Sequence, residues 1–195
     1  INKEVIEKIV DEVRKVEGVK LLDYSSDNDH NRTVVTMVGN PVGIKVAAFN
    51  LVKKASELID MTTHKGAHPR MGATDVVPFI PVSDITMEEC VDIAREVGKR
   101  IGEELNIPVY FYEEAATRPE RKNLADVRKG QYEGFFEKIK DPDWKPDFGP
   151  GEMNAKSGAT AVGARVPLIA YNVNLGTSDI EIANAIAKKV RFLGG

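Results

Sequence analysis

Helix-type and strand-type segments alternate along this chain, and that alternation restricts its fold more than any other feature. Lys3 to Val16 carries Val5, Ile6, Ile9, Val10, Val13 and Val16 at helical spacing. Val19 to Tyr24 follows Gly18 as a short strand. The polar run Ser25 to Asn31 reads as a turn or loop, and Thr33 to Gly39 as a β-branched strand ending at glycine. Pro41 to Asp60 is a long helix with proline in its tolerant first turn. Residues 61 to 73 show no period and contain glycine and proline, so they form a loop. Val76 to Val82 reads as a buried strand whose prolines point to an edge or a bulge.

In the second half, Thr86 to Leu105 is a helix, and Glu89 three residues after Thr86 suits a capping box. Val109 to Tyr112 is a strand, Arg118 to Asp126 is irregular or briefly helical, and Gln131 to Ile139 is a helix. Lys140 to Ser157 is a long loop rich in proline and glycine, a length usually kept for function. Val166 to Leu175 reads as a strand and Asp179 to Val190 as a closing helix. The interleaving, with one apolar stripe per helix, predicts an α/β (α+β) fold with one mixed sheet and helices mainly on one face. The other face then needs cover from loops, a second copy or further polypeptide.

The 195 residues, 42% hydrophobic and 29% charged, suit one soluble globular unit, and no repeat or linker divides them. A net charge of -3 argues against a broad nucleic-acid surface. No apolar run approaches the ~18 residues of a membrane span, and no signal-peptide pattern opens the chain. Cys90 is the single cysteine, so no internal disulfide forms and a reducing, cytoplasmic setting is expected. It falls on an apolar stripe with Met87, Val91 and Ala94 and reads as core.

Chemistry concentrates in His64 to Pro81, HKGAHPRMGATDVVPFIP. Two histidines, Lys65 and Arg70 precede a strand, and imidazole is the side chain that titrates near neutral pH. Either histidine suits general acid–base work. Gly66 and Pro69 oppose a helical HxxxH zinc pair, and no third ligand is evident, so no metal is expected. Asp75 stands at the strand mouth, where it either orients a histidine or arginine or caps backbone amides.

Gly151 to Ser157, GEMNAKS, lacks the second glycine and the spacing of a phosphate loop, and no GxGxxG follows a strand. Gly158 to Arg165, GATAVGAR, alternates small residues, which suits either close approach to a ligand or a bulged strand start. Asn172 and Asn174 alternate in YNVNL and share one sheet face, as ligand contacts or as a solvated side. Adjacent Glu113 and Glu114 diverge too much to serve as a glycosidase pair. No Gly-x-Ser-x-Gly element marks a serine nucleophile. Basic residues that gather in space would attract an anionic small molecule.

The stretches DHNRTVVTMVG, ASELIDMTTHKGAHPRMGATDVVPFIPV, IPVYFYEEAA, DWKPDFGP and GATAVGARVPLIAYNVNL together resemble the N-terminal subdomain of the formiminotransferase domain, the glutamate formimidoyltransferase family. The resemblance spans nearly all of residues 1–195. It implies a ferredoxin-like subdomain and transfer of a formimidoyl group from N-formimidoyl-L-glutamate to the co-substrate tetrahydrofolate, in histidine degradation. The histidine of the family's HPR motif matches His68, the implied catalytic residue. The family's folate-contacting loop matches Gly149, Pro150, Gly151 and on through Lys156, Ser157 and Gly158. Lys65, Arg70, Lys156 and Arg165 are then candidate carboxylate anchors, Asp75 an orienting group, and Asn172 and Asn174 contacts to the formimidoyl or pterin group.

The family's opening strand, near VPNFSEG, and its second subdomain have no counterpart in this sequence, so a second copy or subdomain is an expected partner. In this reading one neutral imidazole takes a proton from folate nitrogen 5 and returns one to the departing glutamate, with no metal or covalent intermediate. Cyclisation of 5-formyltetrahydrofolate and non-catalytic folate binding are the rival functions.

Overall fold

The computed structural model describes residues 1–169 and 173–190. Helix α1 (Lys3–Arg14) starts where the Asn2 side chain accepts the Val5 amide at 3.2 Å, and it buries Ile9, Val10 and Val13. Each such aliphatic contributes about 1.5–3 kcal/mol on leaving water. Strands β1 (Val19–Asp27) and β2 (Arg32–Gly39) form an antiparallel hairpin. β1 outruns the expected end at Tyr24 because Ser25, Ser26 and Asp27 pair with Val34, Thr33 and Arg32. Only residues 28–31 remain as turn, closed by Asn31 in the left-handed region at φ 48.

Helix α2 (Pro41–Leu58) is capped by Asn40, whose side chain accepts the Gly43 amide at 2.8 Å. It packs between the α1–hairpin layer and helix α3 (Met87–Leu105). The Thr86–Glu89 capping box is complete in both directions.

A second sheet is parallel throughout. It orders β3 (Val76–Phe79), β5 (Thr160–Ala164) and β4 (Val109–Glu113), with β5 in the centre. The α/β class holds, and the described strands divide between this sheet and the hairpin rather than joining one mixed sheet. Pro78 sits on edge strand β3, where its missing N–H costs no ladder bond.

The last described strand lies earlier than expected. Residues 166–169 and 173–175 are not extended partners of any strand, and Val166, Leu168 and Ile169 are exposed. Apolar alternation there supplies β propensity but no neighbour among the described residues, and residues 170–172 of the expected strand lie outside them. The small-residue run GATAVGAR supplies the strand instead, because a central position flanked on both faces needs thin side chains. A Cβ on Gly163 would meet the Tyr112 ring at 2.6 Å.

Helices cover both faces of the parallel sheet, not mainly one. Helices α2 and α3 bury Val77, Phe79, Val109, Phe111 and Val162 on one side. On the other, Tyr110, Tyr112 and Ala161 pack under α4 (Leu124–Arg128) and α5 (Gln131–Lys138), with Trp144 alongside. The Lys138 ammonium donates to the carbonyls of Asp126, Val127 and Lys129, closing the end of α4, and lies 3.7 Å from the Trp144 ring centroid. Burial, then the nearby Arg121 charge, pulls its pKa down to about 8. Helix α6 (Ile180–Val190) ends the described chain and buries no residue. No described helix is long and apolar enough to cross a membrane.

Candidate active site

The three histidines of the chain, His30, His64 and His68, come together where the hairpin turn meets the loop before β3. Asn31 Nδ2 donates to the Lys65 carbonyl at 2.7 Å, and the Ala67 amide donates to the Asp29 carbonyl at 3.0 Å. Gly66 lies so close to the turn that a Cβ would sit 2.3 Å from the His30 carbonyl oxygen. The two loops therefore form one body.

His64 is tied into the frame. Arg70 Nε donates to its Nδ1 at 3.4 Å, and its Nε2 lies 3.1 Å from the Asn31 carbonyl. That network assigns the proton to Nε2 and leaves the ring no spare lone pair. His68 differs. Its ring is half-buried, and among the described residues its nitrogens make no hydrogen bond. Pro69 holds His68 out of helical geometry. Burial, then the charges of Arg32 and Arg128, lowers its pKa from the ordinary imidazole value, with Asp75 opposing. Both causes favour the neutral ring, which offers a lone pair to a proton.

Arg70 is buried at 9% exposure and forms a two-pronged pair with Glu133, at 2.9 and 2.7 Å. Its carbonyl accepts the Tyr132 amide at 2.8 Å, so the loop is bolted to the start of α5. The expected anchor for a substrate carboxylate already holds a protein carboxylate. Asp75 performs both alternatives in modified form: one oxygen accepts the Met71 amide at 2.9 Å, the other accepts from Arg128 at 2.6 Å. Its arginine is Arg128 rather than Arg70. The buried Nε of Arg128 has no acceptor among the described residues.

The remaining sequence candidates divide. Arg165 directly follows β5, beside the Tyr112 hydroxyl, and donates to the Val166 carbonyl at 3.0 Å. Lys65 is exposed, and among the described residues only its carbonyl is engaged. Lys156 donates to the Glu57 carbonyl at 2.7 Å, closing the end of α2. Gly149 and Gly158 adopt left-handed φ of 88 and 71. Gly149 abuts the Ile107 carbonyl, and Gly158 pairs with Gly72, stitching the 149–158 loop to the histidine loop. Pro150 is partly buried and Gly151 is open to solvent. Ser157 is buried, with its carbonyl accepting the Ala73 amide at 2.8 Å. Asn174 is exposed outside any strand, and Asn172 lies outside the described residues.

Sequence reasoning missed His30, Asp27, Arg32 and Glu133. Asp27 and His30 stand three apart across a polar turn, a spacing suited to side-chain contact, and that was the available signal. Glu133 and Arg128 carried none, since 63 and 53 residues separate them from their partners. Among the described residues no three His, Cys, Asp or Glu side chains are grouped so as to hold a metal ion.

Residues 1–165 match the family model described as the formiminotransferase domain, N-terminal subdomain. The chain is 57% identical over 194 residues to the glutamate formimidoyltransferase of Streptococcus pyogenes serotype M1, covering 100% of this chain and 65% of that protein. It is 51% identical over 192 residues to that of Thermoplasma acidophilum, covering 97% of this chain and 63% of the relative. With the formimidoyltransferase-cyclodeaminase of Mus musculus the identity is 49% over 193 residues, 99% of this chain and 36% of the relative. The chain thus spans just under two thirds of the first two relatives. Matched over most of its length by that family model and so similar to these proteins, the chain belongs to the formiminotransferase family, as its N-terminal subdomain.

Proposed function

We propose that this chain supplies the proton-accepting half of a glutamate formimidoyltransferase, acting on N-formimidoyl-L-glutamate and tetrahydrofolate. The observation that carries the reading is His68: a half-buried ring without a hydrogen-bond partner among the described residues, set among Arg32, Arg128 and His30. Nitrogen 5 of the folate attacks the amidine carbon, and His68 takes the proton that this nitrogen sheds. Juxtaposing the two substrates supplies much of the remaining acceleration.

Both substrates carry carboxylates, and Arg32, Arg128, Arg165 and Lys65 are the cations offered to them. Arg70 acts by fixing the histidine loop, and Asp75 by aiming Arg128. The 149–158 loop is the proposed folate contact, joined to the histidine loop at Gly158. Leu22, Val34 and Val38 stand exposed on the outer face of the hairpin, which a second copy or a second subdomain would cover. The single thiol, free and buried, fits a reducing, cytoplasmic setting.

The test is replacement of His68 by Ala in the full-length polypeptide, with formimidoyl transfer followed spectroscopically. The expected loss in kcat is about 10²–10⁴-fold. Turnover near that of the unaltered protein would remove His68 from the reaction.

A further inference from the structure

We propose that His30 is a second proton-transfer residue, which protonates the glutamate nitrogen as it departs while His68 relieves folate nitrogen 5 of its proton. This rests on reading the chain as a formimidoyltransferase.

The reaction moves protons at two different nitrogens of one amidine carbon, and the structure holds two imidazoles side by side. The ring centroids of His30 and His68 are 6.1 Å apart and the rings meet edge-on at 68°. A one-carbon unit seated over that gap has each ring about one hydrogen bond from one of its nitrogens. The two rings reach this position from separate elements, the hairpin turn and the loop before β3. They are kept there by the Asn31–Lys65, Ala67–Asp29 and His64–Asn31 bonds.

His30 is also oriented. Asp27 Oδ1 accepts from the His30 amide at 2.7 Å and from its Nδ1 at 2.8 Å. The Asp27 carboxyl is held below its ordinary range by those bonds, the amide first. With Nδ1–H pinned, Nε2 is the nitrogen left to deliver a proton, and it has no partner among the described residues. The ring is exposed, so a ligand reaches it directly. This is the pattern of an acid or base steadied by a third group.

The step balances. The bond from folate nitrogen 5 to the amidine carbon forms, and the proton of that nitrogen passes to His68. The bond from the carbon to the glutamate nitrogen breaks, and that nitrogen takes the Nε2 proton of protonated His30. One proton then passes from His68 to His30, directly or through water, and both rings regain their starting states.

The experiment uses the full-length polypeptide with tetrahydrofolate and two donors, N-formimidoyl-L-glutamate and N-formimidoyl-4-aminobenzoate. The second releases a weakly basic aniline, which needs little help from an acid. His30→Gln is expected to slow turnover of formimidoylglutamate about 100-fold and of the aryl donor less than about fivefold. His68→Gln is expected to slow both alike. Asp27→Asn, which keeps the ring and drops its carboxylate partner, is expected to fall between the unaltered protein and His30→Gln on formimidoylglutamate. Turnover by His30→Gln within about threefold of the unaltered protein, or an equal loss on both donors, overturns the role of His30 and leaves that of His68 standing. Failure of the unaltered protein to transfer the formimidoyl group overturns both.

Discussion

Arg70 and Glu133, 63 residues apart in sequence, meet through two parallel N–H···O bonds of 2.9 and 2.7 Å. The guanidinium holds the Glu133 carboxyl down to about 2, against an ordinary 4.5. A depressed carboxyl contributes stability that is complete above its unfolded pKa and lost as pH falls through its folded one. Glu133 is 66% exposed, so solvent screens the pair. Glu133→Gln is expected to cost about 1 kcal/mol at pH 7. That difference should shrink as the pH falls from about 4.5 and be gone near 2, read from urea midpoints of the two proteins along a pH series.

The charge of Arg128 is one cause of the lowered pKa of His68, after burial and Arg32, and the same arginine neutralises Asp75. Arg128→Met removes a repulsion and frees an attraction, and both favour the imidazolium. The acid-side limb of kcat/KM, expected below the ordinary imidazole range in the unaltered protein, should move to higher pH. Asp75→Asn should move it to lower pH. Limbs that coincide in all three proteins would disconnect this ion pair from the proposed base.

The legible and illegible parts of this chain differ in a physical way. Helices announce themselves locally: the Val–Ile stripe of α1 and the Thr86–Glu89 box were readable because every interaction spans four residues or fewer. So was the edge character of β3, from Pro78. The position of β5 was not, because a run as thin as Thr160 to Ala164 becomes a strand only once Tyr112 lies across Gly163 and β3 and β4 flank it. At the candidate site, HKGAHPR marked the loop that carries two of the three clustered histidines. It did not say which histidine was free, since that depends on Arg70 spending its Nε on His64. Nor did it show that Arg70 is already satisfied by Glu133, or that His30 arrives from the hairpin.

Gly158 combines a left-handed φ of 71 with a backbone contact, its absent Cβ falling 2.3 Å from the Met71 carbonyl oxygen. Gly158→Ala is therefore expected to destabilise the fold by about 1–3 kcal/mol from backbone strain alone. The crowding falls on the loop that bears His68, so kcat should drop more than KM rises. Denaturant unfolding together with steady-state kinetics checks both parts.

Asp147 gathers three donors, the Phe111 amide and Arg121 Nη1, both at 2.8 Å, and the Thr117 hydroxyl. Arg121 is 1% exposed and lies against the Tyr110 and Trp144 rings. Asp147→Ala strands that guanidinium, and the expected loss is about 3–5 kcal/mol. Calorimetric unfolding measures it. A loss below 1 kcal/mol would mean that the Asp143 and Lys145 carbonyls satisfy Arg121 without the carboxylate.

The central place of β5 also sets an order of assembly. Its two neighbours are complete by residue 113, yet neither touches the other, and the strand that joins them begins only at Thr160. On the ribosome, residues 76–79 and 109–113 must wait, with unpaired edges, until nearly fifty further residues have emerged. The nascent chain is most prone to aggregate in that interval, and the candidate site is not framed by its completed sheet until translation has passed residue 164.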